Sequence, residues 1–184
     1  SGVHGPNIAE FVVGAFEVGV GGYWSRDTAP KGMLTATGAL GLIDLFAESV
    51  LSRGSDRSYV DASGSAYTRE EELIYSGTAG LRLIDEVHDL SFAAQYFYNG
   101  EGYEGIESVT HRQALMTAAS NGNLSDTDLQ HTGRHYAAFN AGWGGALEGD
   151  LSPGLLWVSN LADGSGYVAP QANWKVLEHL TLSG

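Results

Sequence analysis

Along most of this chain every second residue is apolar, and the residues between are small or polar. Residues 8–24 place Val12, Phe16, Val18, Val20 and Trp24 on one face, with Val13, Ala15, Glu17, Gly19, Gly21 and Tyr23 on the other. Residues 32–43 set Leu34, Ala36, Leu40 and Leu42 against Thr35, Thr37 and Gly41. Residues 45–52 set Leu45, Ala47 and Leu51 against Phe46, Glu48 and Val50. The pattern returns in residues 73–83, with Leu73, Tyr75, Ala79, Leu81 and Leu83 opposite Ser76, Thr78, Gly80 and Arg82. It returns again in residues 90–98, with Leu90, Phe92, Ala94, Tyr96 and Tyr98 opposite Ser91, Ala93, Gln95 and Phe97. Three further segments follow: residues 136–147 (Ala137, Phe139, Ala141 and Trp143 against Tyr136 and Asn140), residues 151–161 (Leu155, Trp157 and Leu161 against Gly154 and Asn160) and residues 167–176 (Val168, Ala172, Trp174 and Val176 against Gln171, Asn173 and Lys175). Period-two alternation sustained in this way predicts about eight β-strands.

The connections alternate in length. Short turns are expected near Asp44, at 85–89, at 148–150 and at 178–179, and longer polar loops at 25–31, 53–70, 99–133 and 162–166. Consecutive strands with short links form an up-and-down antiparallel sheet, here a single domain over residues 1–184. On this count both termini fall on the short-turn side. Residues 112–120 predict a short helix within the longest loop, placed either at the surface or folded into the interior. Pro170 cannot donate to a ladder and is expected at a rim or bulge.

Composition gives the alternation a direction. No apolar run approaches the ~18 residues of a transmembrane helix, yet membrane strands need only alternate apolar residues. If the apolar face looks outward, Trp24, Tyr75, Tyr96 and Tyr98 lie near the long-loop rim, Trp174 lies near the short-turn rim, and Trp143 lies between that rim and the middle. Aromatic rings favour the headgroup level, so these are the expected membrane-interface residues. The interior then holds Glu17, Thr35, Thr37, Glu48, Arg82, Gln95, Asn140, Asn160, Gln171, Asn173 and Lys175, groups that a wet or hydrogen-bonded lumen tolerates and lipid does not. The ionic members, Glu17, Glu48, Arg82 and Lys175, are candidates for an internal salt-bridge network. Swapping the faces gives a soluble β-barrel or sandwich that binds a small apolar ligand, and purification without detergent would separate the two.

The chain resembles a bacterial outer-membrane β-barrel of the porin-like class. The resemblance rests on the pattern over nearly the whole sequence. It implies a transmembrane barrel with short periplasmic turns and long extracellular loops in the outer membrane of a Gram-negative-type bacterium. It further implies contact with the lipid bilayer and lipopolysaccharide, and passive passage of small solutes or ions. A non-conducting structural or adhesion protein shares the same fold. Such barrels usually end on an aromatic residue, whereas residues 177–184 read as a turn and the start of another strand. Eight closed strands with a tail and a segment of a larger barrel therefore both stay open, as does the oligomeric state. No signal peptide is visible, so an exported protein is expected to be in mature or trimmed form.

Charge and motifs narrow the chemistry. A net charge of −13 opposes nucleic-acid binding. Cysteine is absent, which excludes disulfides, cysteine-ligated metal and a thiol nucleophile. His111, His131 and His135 sit in or beside the longest loop with Asp126 and Asp128, but no nucleophile elbow, metalloprotease helix or phosphate loop accompanies them. His88 and His179 fall in short turns and are expected to be solvated. Asp56, Asp61, residues 70–72, Glu101, Glu104 and Glu107 could offer oxygen ligands to Ca²⁺, but without EF-hand spacing. A solvated acidic surface is the plainer reading. The chain is therefore expected to be no enzyme, with no cofactor and no metal.

Overall fold

The computed structural model describes residues 7–25, 28–103, 109–125, 128, 132–177 and 180–183. It is an all-β protein built on one antiparallel sheet of ten strands in the order β1-β2-β3-β4-β7-β8-β9-β10-β11-β12. The strands are β1 (Asn7–Val13), β2 (Phe16–Tyr23), β3 (Lys31–Leu40), β4 (Ile43–Arg53), β7 (Leu73–Asp85), β8 (Leu90–Tyr98), β9 (His135–Trp143), β10 (Leu151–Asn160), β11 (Gly166–Leu177) and β12 (Leu180–Ser183). The small hairpin β5 (Tyr59–Val60) and β6 (Ala66–Tyr67) and the helix α1 (Val109–Ser120) stand apart in the long loops. The helix expected at residues 112–120 is therefore present.

The eight-strand count is corrected at both ends. Residues 8–24 are a hairpin, not one strand. Val13 pairs with Phe16 across a two-residue turn, with Gly14 at φ 65°. Gly41, also at φ 65°, makes the same turn between β3 and β4, placing it before the expected Asp44. Glycine at the first central position with positive φ suits a tight hairpin link, because a Cβ there would be strained. Crossing the turn reverses parity, so Phe11 and Val13, not Val12, share a face with Phe16. The adjacent Val12 and Val13 masked that reversal in the sequence. At the other end, residues 180–183 form the tenth strand, the further strand whose start was expected within residues 177–184. The extra first strand puts Asn7 at the long-loop rim, against the expected short-turn side, while β12 runs back from the short turn only as far as Ser183, opposite Asn173. The turn expected at residues 178–179, with His179, lies outside the described residues.

Among the described residues β1 pairs only with β2 and β12 only with β11, so the sheet is not closed into a barrel. From β1 to β11 the register runs unbroken, and between β11 and β12 it shifts between Lys175 and Leu177. One row passes through Val13, Phe16, Gly38, Leu45, Leu81, Ala94, Phe139, Trp157 and Val168, apolar or glycine in every strand. The parallel row one residue away passes through Ala39, Asp44, Arg82, Ala93, Asn140, Leu156 and Ala169. Cross-strand partners share a face, so these rows define an apolar face and a mixed one that carries charged and carboxamide side chains.

The short turns descend across the sheet. Relative to the row of Val13, the last pair before the turn lies level at Val13–Phe16, two residues lower at Leu40–Ile43 and four lower at Asp85–Leu90. At Leu177–Leu180 it lies nine residues below Val168. The stagger is about one residue per strand, which in closed β-barrels corresponds to strands tilted by roughly 36°. It also explains Pro170. β12 reaches only Asn173 to Leu177 of β11, so Pro170 lies where β11 has a partner on one side alone, a position proline tolerates.

Glycines make room for rings on the polar face. The Phe46 ring lies directly over Gly80, and a Cβ at Gly80 would also come within 2.7 Å of the Ala94 carbonyl oxygen. Gly80→Val should lower stability by about 1–3 kcal/mol through overpacking. Gly154→Ala, whose Cβ meets nothing closer than 3.4 Å, should cost clearly less. Urea unfolding of the two variants checks this, and equal midpoints would contradict it.

Candidate functional site: the polar face and its loop cap

All the expected interior residues lie on one face of the sheet. Glu17, Thr37 and Gln95 share one row, and Thr35, Glu48 and Asn160 share another. Arg82 and Asn140 lie in a third, with Gln171, Asn173 and Lys175 further along β11. Glu17, Glu48, Arg82, Gln95, Asn140, Gln171, Asn173 and Lys175 are exposed, while Asn160 is buried. The expected interface aromatics lie on the opposite face: Tyr75, Tyr96 and Tyr98 toward the long-loop rim, and Trp143 and Trp174 toward the short-turn rim. Trp24 follows the end of β2 and is exposed. Tyr75 and Tyr98 stack at 6.1 Å, and the Tyr96 hydroxyl meets His135 Nδ1 at 2.6 Å.

The polar face is not uniform. Carboxylates occupy one side, with Glu10, Glu17, Asp44 and Glu48 on β1–β4. Carboxamides occupy the other, with Gln95, Asn140, Asn160, Gln171 and Asn173 on β8–β11. Arg82 stands between them, in register with Asp44. The salt-bridge network expected from Glu17, Glu48, Arg82 and Lys175 is absent: among the described residues the ion pairs join Arg69 to Glu72 and His88 to Asp85. In their place Gln95 donates to Thr78 Oγ1 at 3.0 Å, and Thr78 donates to the Tyr96 carbonyl at 3.0 Å.

At the long-loop rim the connections fold into a cap. Tyr59, Val60, Tyr103, Leu115, Ala118 and Leu124 are buried together, with Ala162 packed against them. The Tyr59 ring stacks on Tyr67 and meets Tyr103 edge-on, each at 5.4 Å, while Arg69 lies over its face. The Ser55 hydroxyl accepts from Tyr59 and donates to Glu101, each at 3.0 Å. The Arg69 guanidinium donates to the Gly100 carbonyl. The Ala29 amide donates to Asp56, so all four long connections join. The cap lies over the polar side of the rim. There Ile74 is 2 % exposed, Ser52 5 % and Asn99 5 %, whereas Leu51, Leu73 and Tyr75 on the apolar side are 48–72 % exposed. Ser159, on the apolar side, is covered by its own hairpin loop through the Ser165 carbonyl. The sequence offered only faint signs of this core: a Tyr59-Val60 pair inside a polar loop, and Leu115 and Ala118 one helical turn apart.

The loop histidines and acids have structural work. His111 is buried, with its Nε2 2.9 Å from the Val60 carbonyl oxygen and its ring edge-on to Tyr103. His135 belongs to the tyrosine cluster on the apolar face. His131, Asp126, Glu104 and Glu107 lie outside the described residues. Asp61 accepts from Ser63 and Ser65 within its own turn, bonds that hold its carboxyl below the usual range. The Asp85 carboxylate bonds the His88 ring at 2.7 Å and accepts from the Val87 and His88 amides. Among the described residues no group of three or more histidines and acids gathers as a metal would require.

Asp128 fastens the cap. Its carboxylate accepts from the Ser125 amide at 2.8 Å, the Ser125 hydroxyl at 2.5 Å and the Ser58 amide at 3.2 Å. Burial pushes its pKa up, but these bonds and the Arg57 charge outweigh burial and leave it below the ordinary value of 3.8. A depressed pKa means stability that is present above the ordinary value and lost as pH falls through the folded one. Hydrogen-exchange protection at Ser58 and Ser125 should therefore decline below about pH 4. In Asp128→Asn it should already be reduced at pH 6, with little further dependence on acid. Unchanged protection in the variant would contradict this role. No family model, curated protein or solved structure matches this chain.

Proposed function

We propose that this chain forms the wall of an outer-membrane β-barrel of the porin-like class, with its apolar face to lipid and its polar face to a water-filled lumen that passes small solutes or ions. The carrying observation is the uncovered apolar face. Among the described residues the apolar side chains of this face stand open, while the cap sits on the other face. Ten strands about 4.8 Å apart span roughly 45 Å, so the face exceeds the few hundred Å² of contiguous apolar surface usual on a soluble protein. Val20, Leu34, Leu40, Leu155, Val168, Trp174 and Leu182 all stand open on it. Lipid is the solvent such a face matches, and the rows of tyrosine and tryptophan near its two margins suit the headgroup level. The descending turns add support, since tilted strands are what a closed membrane wall requires.

In this reading the short turns face the periplasm of a Gram-negative-type cell, and the cap faces outward, beside lipopolysaccharide. Glu10, Glu17, Asp44 and Glu48 outnumber Lys31, Arg82 and Lys175 on the luminal face, which favours cations. The work is passive transport and needs neither cofactor nor catalytic residue. The cap favours a second reading, a non-conducting wall, because it covers the polar face at one mouth.

Two measurements test the proposal. Leu81→Arg and Phe139→Arg, in the middle of the apolar face, should each weaken folding into vesicles by about 2–4 kcal/mol, while Gln95→Arg on the polar face should cost under about 1 kcal/mol. Equal costs on both faces would overturn the assignment. In planar bilayers, folded protein should show discrete, cation-preferring conductance, and Glu17→Gln with Glu48→Gln should lower the cation-to-anion permeability ratio about twofold. Silence from protein that shows heat-modifiable migration would remove the pore and leave the wall.

A further inference from the structure

We infer that the cap-side margin of the apolar face holds a site for a membrane lipid with an anionic phosphate headgroup, seated on Arg53. The inference rests on the membrane reading above and names the lipid that this part of the wall selects. Among the described strand residues, register places two charged side chains, Arg53 and Asp85, on the apolar face, and the other acids, lysines and arginines on the polar one. Asp85 closes the short-turn end of β7, where it pairs with His88. Arg53 closes the long-loop end of β4, opposite Leu73. It is exposed, and among the described residues no acid pairs with it. Of the acids in the adjoining loops, Glu72 pairs with Arg69, Asp56 accepts from the Ala29 amide and Glu70 accepts from the Thr68 hydroxyl.

The height of Arg53 on the wall decides what it meets. Counted from the row of Leu45, Leu81, Ala94 and Phe139 toward the long-loop rim, Arg53 lies eight residues out, Tyr75 six, and Tyr98 and His135 four. Trp24 lies eight out from Phe16 of the same row, two strands earlier. The wall descends by about one residue per strand, so all five stand within about two residues of one level, the aromatic margin. An arginine is costly at the bilayer centre and cheap at the headgroup level, where lipid phosphates are its abundant partners. A guanidinium matches a phosphate in charge and in the fork of its donors. Beside Arg53 opens a cavity of about 420 Å³, bordered by Trp24, Leu51 and Leu73. Gly22 and Gly32, paired in register, leave bare backbone at its floor. An acyl chain fits along that floor while its phosphate stays at Arg53. Lys31, the cavity's other cation, belongs by register to the polar face. The net charge of −13 repels anionic lipid in general, so a preference for it at this spot is local to Arg53.

Trp24 borders the cavity and reports on it. With Trp143, Trp157 and Trp174 replaced by phenylalanine, its emission is read in phosphatidylcholine vesicles. These contain rising fractions of either brominated phosphatidylglycerol or brominated phosphatidylcholine. Half-maximal quenching should need about fivefold less of the brominated phosphatidylglycerol, the preference expected of one cation at a headgroup. Arg53→Gln should bring the two curves together, and Arg53→Lys should keep most of the difference. Gly32→Leu, whose Cβ meets nothing closer than 3.9 Å, should fill the cavity and reduce the difference. Trp174 as the sole tryptophan, at the other margin, should show no preference. Inorganic phosphate in the buffer should leave the curves unchanged. Equal curves at Trp24, an equal preference at Trp174, or displacement by inorganic phosphate would each overturn the inference. The chain with all four tryptophans gives a second reading. Replacing phosphatidylcholine by phosphatidylglycerol should raise the temperature at which heat-modifiable migration is lost, and Arg53→Gln should abolish the rise. A rise that survives Arg53→Gln would also overturn the inference. Equal quenching of Trp24 by both lipids keeps the membrane reading and removes this site alone, whereas quenching of neither Trp24 nor Trp174 by any lipid sinks both.

Discussion

The sheet has no core of its own, and the rest of the structure depends on that. Among the described residues the buried apolar ones are Tyr59, Val60, Ile74, Tyr103, Leu115, Ala118, Leu124 and Ala146. All but Ala146 belong to the loop cap or lie beneath it. A β-sheet in water normally hides one face against another layer. Here the strands hold together through their ladders and cross-strand pairs, and the apolar face finds no protein partner. Whatever covers that face completes the fold. In the proposed reading lipid does so without a second layer, which would leave the polar face free to line a passage.

The cap follows from the same arrangement. Loops on the long-loop side cannot bury themselves against the sheet's apolar face if lipid takes it. They turn over the polar face instead, where Ile74, Asn99 and Asn160 give them footing. Tyr59, Tyr103 and His111 supply the rings, and Ser55, Arg69 and Asp128 supply the ties. The result is a small water-side core seated on one rim. Below it the polar face keeps its carboxylates and carboxamides exposed.

Much of the sheet was legible in the sequence because period-two alternation reports which residues share a face, and face is what a ladder preserves. The separation of Glu17, Glu48, Arg82 and Asn140 from Tyr75, Tyr96 and Trp174 could be read that way. Strand number could not. The Gly14-Ala15 turn sits between Val13 and Phe16, and two successive valines hide its change of parity, so a hairpin read as one long strand. The last described strand is four residues long, so its start could be read within residues 177–184 but not its place in the count. The cap was illegible for a different reason. Its core is assembled from distant loop residues such as Tyr59, Tyr103 and Leu115, which share no local period. Closure depends on how far ten strands curve, which no side-chain alternation records.

The central claim is that lipid covers the apolar face. Trp143, Trp157 and Trp174 lie on that face, and Trp24 follows the strand that borders it. Tryptophan emission can therefore be read from protein folded into vesicles whose acyl chains carry bromine at defined depths. The account predicts strong quenching, with Trp157, in the row of Val13 and Phe139, responding most to bromine near the bilayer centre when the other tryptophans are replaced by phenylalanine. Emission untouched by brominated lipid but quenched by aqueous iodide would place the face in water and contradict the account.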